Sequence, residues 1–550
     1  MTMKTEHLRL HLLLLILLLT GRSDAQLPHQ MSSPKYEIRA VWLTTIGGID
    51  WPHSYYASTQ REELCRTLDE LKAAGINTVF LQTRVRATTI YPSIIEPWDG
   101  CITGHPGKAA TYDPLQYAIE ECHKRGMQLH AWVVTIPIGK WKNYGCTQLR
   151  KRNPQLVIKI GEEGYMNPEA PETSNYLMRI CREITSSYDV DGIHLDYIRY
   201  PETWKMKVNR AEGRANITRI VRTIYNEVKA TKPWVMVSCS PIGKYDDLTR
   251  YRSNGWNARS RVFQDAQQWL KEGIMDALFP MMYFRDNNFF PFAIDWQEHS
   301  YGKYVVPGLG IYFLDPREGR WSLEDIERQM NVIRELGMGH CFFRSKFLTD
   351  NTKGIYDLSK SFNRYPSLIP PLYWLSSRKP EAPKWIEIED NNRMCWQASE
   401  RGNVYNVYAS TNYPVDITKA ENLVATRLQQ NSLLIRKNMN YAVTTQDRFG
   451  QESDAIQLLL VPNGSSFGST KAAIQIADKT VTLPAKPSTL DADFLIIETL
   501  QGQAVKTIPF RGTQANTAQL PEGIYQWRSL DKKGHHHRLG FFAIKKNRRH

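Results

Sequence analysis

Several signatures are missing from this chain, and each absence closes a class of function. There is no GxxxxGK[ST] loop and no Rossmann glycine pattern, so no cofactor is expected. There is no HExxH and no CxxC pair. The eight cysteines lack metal-ligand spacing, so no metal is expected. No helix-turn-helix, RNP or zinc-finger pattern accompanies the basic residues, which are scattered apart from the tail KKNRRH. Nucleic acid is therefore not an expected partner. Beyond the N-terminal leader no apolar run is long enough to cross a bilayer, so no integral membrane segment is expected.

What is present at the N-terminus is a weakly basic start, an apolar stretch from Leu12 to Leu19, and a small-residue end at Ser23-Asp24-Ala25. That pattern predicts a signal peptide over 1–25, cleavage after Ala25, and export to a periplasmic or extracellular location. Export would permit disulfides, and Cys101 and Cys146, both in loop-like sequence, are the pair that could form one. The formal net charge is +14, and the leader accounts for +1 of it, with three cations against two anions. The remaining excess suits contact with anionic envelope polymers. Aromatics make up 11% of the chain, with 15 Trp and 27 Tyr, which serves either sugar-binding clefts or large cores.

From 34 to 373, strand-like and helix-like segments alternate. EIRAVWLTT, NTVFLQTRV, MQLHAWVVTI, DGIHLDYIRY, WVMVSCSP, DALFPMMYF, YVVPGLGIYFLD and GHCFFRS read as strands. The intervening segments read as helices, one with Asp113 as N-cap before Pro114 and one capped by Ser322. Eight βα units predict an α/β fold, a TIM (β/α)8 barrel. Between 378 and 462, alternating apolar and polar runs with turn residues between them predict a fibronectin type III-like β-sandwich. Asn463–Thr470 reads as a linker, and 471–546 as a smaller C-terminal β-rich domain. In it, His535–His537 read as a turn between two strands in preference to a metal site.

In such a barrel, chemistry sits where the strands end. The fourth strand, starting at Gly192, alternates so that Gly192, His194 and Asp196 point inward and Asp196 lies at the lip. A carboxylate buried there costs several kcal/mol unless it is paired or functional. Pairing with Arg199 or Arg84 is the bland alternative for Asp196. His194 is counted among the substrate-facing groups, although taken alone it reads more readily as a satisfied core histidine.

Here the sequence is also recognisable. RAVWLTTIGGIDWP, YPSIIEPWDGCITGHPG, YDPLQYAIEECHKRGMQLHAW, MNPEAPE and YDVDGIHLDYIRYP occur in order between Tyr36 and Tyr373. Together they resemble the bacterial glycosyl hydrolase-like family formerly known as a domain of unknown function, the YngK-like family that includes the divisome glycosidase DigH. The resemblance implies a TIM barrel and glycoside hydrolysis, and for the divisome member cleavage of peptide-free peptidoglycan glycan strands. The chain departs from the family where Arg86-Ala87-Thr88 replaces a common Arg-Gly-Asp and where TIPIG (Thr135–Gly139) replaces Asn-Pro-Tyr-Arg.

Glycoside hydrolysis needs two carboxyl groups, one donating a proton to the leaving oxygen and one attacking carbon or activating water. Asp196 is the expected nucleophile or base. Asp286, directly after strand six, ranks first for the second role and Asp315, after strand seven, second. Trp42, Trp51, Trp98, Trp132, Tyr197 and Tyr283 are the aromatics near strand ends that would meet sugar rings, with core packing the alternative for Trp42 and Trp132. Arg84, Arg86 and Arg199 would bind hydroxyls or a lactyl carboxylate, and Asp50, in the first loop, is a further carboxylate counted among the substrate-facing groups. The expected activity is thus a secreted glycoside hydrolase on a polysaccharide, peptide-free peptidoglycan glycan foremost. The alternatives are hydrolysis of a dietary or host polysaccharide and a catalytically silent carbohydrate-binding barrel.

Overall fold

The computed structural model describes residues 33–458 apart from 390, 391, 399 and 437, and beyond 474 residues 475–477, 479–484, 492–499, 503–511, 513–530 and 536–545. The leader, its cleavage site and Asn463–Thr470 lie outside the described residues. The chain divides into two compact units, Met1–Pro462 and Asn463–His550.

The first unit opens with the barrel. Its strands are β1 (Arg39–Leu43), β2 (Thr78–Arg84), β3 (Gln128–Val134), β4 (Gly192–Asp196), β5 (Met236–Cys239), β6 (Ala277–Leu278), β7 in two halves (Tyr304–Val305 and Gly308–Leu309) and β8 (His340–Phe342). All neighbours pair in parallel, in sequence order. The first half of β7 pairs with β6, Tyr304 opposite Ala277. The second half pairs with β8, Gly308 opposite Cys341, and β8 returns to β1, Cys341 opposite Ala40. One interrupted strand therefore closes the ring.

The strands are apolar on both faces because both are buried, as parallel-sheet strands require. Val79, Leu81, Ile193 and Leu195 pack outward against the helices, while Trp42, Phe80, Trp132 and Phe279 fill the interior. Helices begin where the sequence places caps. Asp113 accepts the Leu115 and Gln116 amides ahead of Pro114, and Ser322 with Asp325 forms a capping box. Between β3 and the next outer helix (Glu172–Ser187) the chain makes a side excursion. It consists of the strands Pro137–Lys140, Val157–Ile160 and Glu163–Met166, with the helix Tyr144–Arg152.

Two antiparallel sheets follow in the same unit. One holds Ile386–Glu389, Arg393–Trp396 and Ser432–Leu434; the other holds Leu423–Leu428, Val404–Ser410, Asn440–Gln446 and Ile456–Leu458. Met394 and Trp396 from the first meet Val407, Tyr441 and Val443 from the second in one core. These sheets pack against the barrel face where strands begin. Arg427 donates to Asp191 at 2.7 Å, Arg448 to Asp189 at 2.7 Å, and Lys35 pairs with Glu452 at 2.5 Å. Leu368 shares a buried cluster with Tyr408, Val415, Leu423 and Ala442. A cleft of about 230 Å³ lies in this seam, with Asp191, Trp234, Arg427 and Phe449 in its walls.

In the second unit, Gln475–Ala477, His536–Ile544, Gly523–Leu530, Phe494–Thr499 and Ala504–Pro509 form a sheet in that order, with Leu495, Ile497, Trp527 and Phe542 in its core. His536 and His537 open a strand rather than forming a turn, and His535 lies outside the described residues. All eight cysteines are unpaired. Cys101 and Cys146, the expected candidates for a bridge, are both buried in short helices.

Candidate active site

β4 sets the site. Gly192 begins it because His130 of β3 lies against the backbone there; an added Cβ would fall 2.4 Å from His130 Nδ1. Two residues on, His194 points inward and is fully buried. The Trp42 indole N–H donates to His194 Nε2 at 3.2 Å, which leaves the proton on Nδ1, 2.9 Å from Ser238 Oγ. Its ring stacks on Phe80 at 4.2 Å, and burial holds its pKa well below the ordinary value. His194 and Trp42 are thus satisfied core groups that substrate does not reach.

Asp196 ends the strand, 5% exposed. Ser240 Oγ donates to its Oδ1 at 2.7 Å, the Tyr197 amide to the same oxygen at 2.8 Å, and Trp132 Nε1 to Oδ2 at 3.0 Å. Burial raises its pKa, which these three donors and the more distant Arg199 charge only partly counter. Among the described residues no cation pairs with it. Arg84, one suggested partner, is wholly buried in a two-pronged pair with Glu96, at 2.8 and 2.7 Å, and also donates to the Val134 carbonyl. It is therefore lost to substrate as well. Arg199, the other suggested partner, donates to Glu202 Oε1 at 2.6 Å.

Above Asp196 lies a polar lip. Tyr197 takes a positive φ of 51° and is 42% exposed, with the Arg199 guanidinium 4.8 Å from its ring centre. Burial first, and then Asp196 and Glu202, push the Tyr197 phenol pKa upward, while Arg199 and Arg86 lower it. Burial raises the phenol pKa of Tyr165, on the β3 excursion, with Glu163 and Glu202 adding to the rise and Arg199 and Arg86 opposing it. Tyr283 is half-buried, stacked on Phe343 at 5.5 Å, and Asp196 is among the groups acting on it. Asp196, Tyr197 and Arg199 are therefore brought together, with Arg86 and Tyr283 in range of their charges.

Other expected groups go elsewhere. Asp286 is exposed at 64% and bound by Arg328 at 2.6 Å. Asp315 is gripped by Arg317, whose side-chain and amide hydrogen bonds bring its carboxyl pKa down to about 2, so it holds no proton to donate near neutrality. Trp51 is fully buried and donates to the Gln60 carbonyl at 2.8 Å, which removes it as a stacking platform. Trp132 is buried too, and its part is the N–H it gives Asp196. Asp50 is buried, accepts the Thr44 amide at 2.9 Å and pairs with Arg344. Trp98 is half-buried in the loop after β2.

The sequence reading passed over Ser240, Glu202 and Tyr165. Ser238 and Ser240 share the inward parity of MVSCS, the rule that found Asp196. Glu202 closes the strand-end run YIRYPE. Tyr165 lies on an excursion whose docking no local pattern reveals. Among the described residues no group of three or more His, Cys, Asp or Glu side chains could hold a metal, and no helix is long and apolar enough to cross a membrane.

Comparison with known proteins gives these findings. The family described as Glycosyl hydrolase-like 10 matches residues 37–313. Glycosyl hydrolase YngK of Bacillus subtilis (strain 168) is 27% identical over 76% of this chain and 92% of its own length. Glycosyl hydrolase DigH of Escherichia coli (strain K12) is 28% identical over 48% of this chain and 68% of its own. Among solved structures, α-L-fucosidase isoenzyme 2 from Paenibacillus thiaminolyticus gives a TM-score of 0.42 at 14% identity, covering 60% of this chain and 49% of that one, too slight a likeness to carry an argument.

Proposed function

Because the chain belongs to the glycosyl hydrolase-like 10 family, we propose that it hydrolyses O-glycosidic bonds of a polysaccharide, peptide-free peptidoglycan glycan strands foremost, with Asp196 as the central carboxylate. One observation carries the assignment: Asp196 is buried at the end of β4 and is met only by neutral donors, Ser240, Trp132 and the Tyr197 amide. A carboxylate held this way keeps an elevated affinity for protons and for carbon, as a base or nucleophile must. The donors fix its orientation toward a sugar seated between Tyr197 and Tyr283.

The geometry assigns no second carboxyl: Glu202, on the same lip, accepts from Arg199 at 2.6 Å, just as arginines hold Asp286 and Asp315. In the reaction the leaving oxygen takes a proton from a general acid as the glycosidic bond breaks. Asp196 either bonds to the anomeric carbon or takes a proton from the attacking water. The leader-like 1–25 segment supports an exported location, periplasmic or extracellular.

A second reading, a barrel that binds glycan without cleaving it, draws on the capture of Asp286 and Asp315 by arginines. Muropeptide chromatography of intact and amidase-treated sacculi distinguishes them. Products released only from treated sacculi, and not by Asp196→Asn, support the hydrolase. Binding without release supports the silent barrel. Release from a neutral plant or host glycan alone removes the peptidoglycan assignment.

A further inference from the structure

The excursion between β3 and its helix has a composition that the barrel does not require. Pro137–Met166 carries Lys140, Lys142, Arg150, Lys151, Arg152 and Lys159 against Glu162 and Glu163, a net of +4. Among the described residues only Lys159 has an acidic partner, Glu162 at 3.4 Å, and both are exposed. Lys140, Lys142 and Lys151 are exposed. Arg150 spends its guanidinium on the excursion itself, donating to the Trp141 carbonyl at 2.7 Å with its charge 4.3 Å from that ring's centre. A solvated cationic face is common. What sets this one apart is where it is rooted.

Thr135, just before the excursion, donates to the Asp196 carbonyl from both its amide, at 2.9 Å, and its hydroxyl, at 2.8 Å. The return strand ends as the Met166 amide bonds the Ile136 carbonyl at 2.7 Å. Arg86, exposed on the loop after β2, lies along the excursion, its Cδ 3.1 Å from where a Gly139 Cβ would stand. Tyr165, on the return strand, feels both Arg86 and the lip pair Arg199–Glu202. The excursion is thus anchored to the backbone of the buried carboxylate, and Arg86 lies along it.

Resting on the hydrolase reading above, we propose that the Pro137–Met166 excursion and Arg86 form a subsite for carboxylate-bearing sugars, holding the anionic residues of a glycan whose scissile bond lies at Asp196. Unpaired lysines on a surface attract such a polymer over a Debye length of about 8–10 Å at ordinary ionic strength, and Arg86 supplies a fork for one carboxylate at close range. The excursion therefore selects by charge, while Asp196 carries the chemistry.

The test uses the full chain with Asp196→Asn, so that nothing is consumed. The probes are soluble peptide-free peptidoglycan glycan strands and the same strands with their carboxylates converted to amides. Calorimetric affinities are taken at about 50 mM and about 500 mM salt. Amidation should weaken binding about tenfold at low salt and little at high salt. Lys140→Gln/Lys142→Gln/Lys151→Gln, added in the same background, should produce most of that loss on native strands and almost none on amidated ones. Equal affinity for native and amidated strands, or no binding to either, overturns the proposal without any reliance on the triple variant. So does a triple variant that binds native strands as tightly as its parent. Because no step requires turnover, charge-dependent binding by a chain whose unaltered form cleaves nothing would sink the hydrolase reading and leave this subsite standing.

Discussion

Two aspartates bracket one strand, and their surroundings are opposites. Asp191 precedes β4 at the barrel's base and Asp196 ends it at the mouth. Asp191 accepts from Arg427 at 2.7 Å, from His123 Nε2 at 2.8 Å and from the Leu129 amide at 2.9 Å. Its pKa is depressed far below the ordinary carboxylate value, the Arg427 and His123 charges outweighing its burial. Asp196 is as buried, but its hydrogen-bond donors are all neutral, Arg199 acts on it only from a distance, and its pKa is raised by burial. Burial alone does not mark a catalytic carboxylate. The charge of its partners decides whether it is fixed as an anion that ties the following sheets to the barrel or left with chemistry to do.

The largest break in this comparison is Asp196→Asn. Activity should fall at least about a thousandfold, near 4 kcal/mol of barrel-mouth chemistry. The melting temperature should hold or rise, because a folded-state pKa above the unfolded one makes this group's ionisation a cost that grows as pH rises through that window. Retention of a tenth of the rate would dismiss Asp196 as the key group.

Asp191→Asn should do the reverse. Stability should drop by about 2–3 kcal/mol, since a half-buried Arg427 and His123 lose their anion, while the rate per folded molecule stays within about threefold. The sign with pH follows from the depressed value. Asp191 contributes fully above its ordinary value of 3.8 and loses its contribution as pH falls through the depressed one. The gap between parent and variant in urea melts should therefore be widest near neutrality and close in strong acid. A constant gap would contradict this.

Arg427→Gln probes the same joint from the sandwich side and should cost about 2 kcal/mol, with activity unchanged. A melting curve indistinguishable from the parent's would show that the ion pair carries no stability. The smallest effect belongs to Ser240→Ala. Loss of that hydroxyl removes a donor that lowers the Asp196 pKa, so the acidic limb of the pH–rate profile should move to higher pH. The rate at the optimum should fall about tenfold or less. An unmoved limb would mean that Asp196 is not the group being titrated.

Much of the fold was legible because its signals are local. Apolar runs alternate with helical periods, and Asp113 and Ser322 stand where caps belong. The lip position of Asp196 followed from parity along five residues. The misreadings share a physical origin in partners far along the chain. Arg84 meets Glu96 across a loop, Trp51 turns under the helix that carries Gln60, and Asp286 finds Arg328 on a different outer helix. Asp315 is the exception. Its captor Arg317 is two residues away, and a hydrogen-bonding turn there could have been foreseen.

The interrupted seventh strand has one more consequence. β2 and β3 share a long ladder, but β6 and each half of β7 hold their neighbours over only two residues. Backbone amides on that arc should exchange with deuterium soonest, and partial opening of the wall should begin there. Tyr283 follows β6 on that arc, so amides beside it should exchange sooner than those on the Asp196 side.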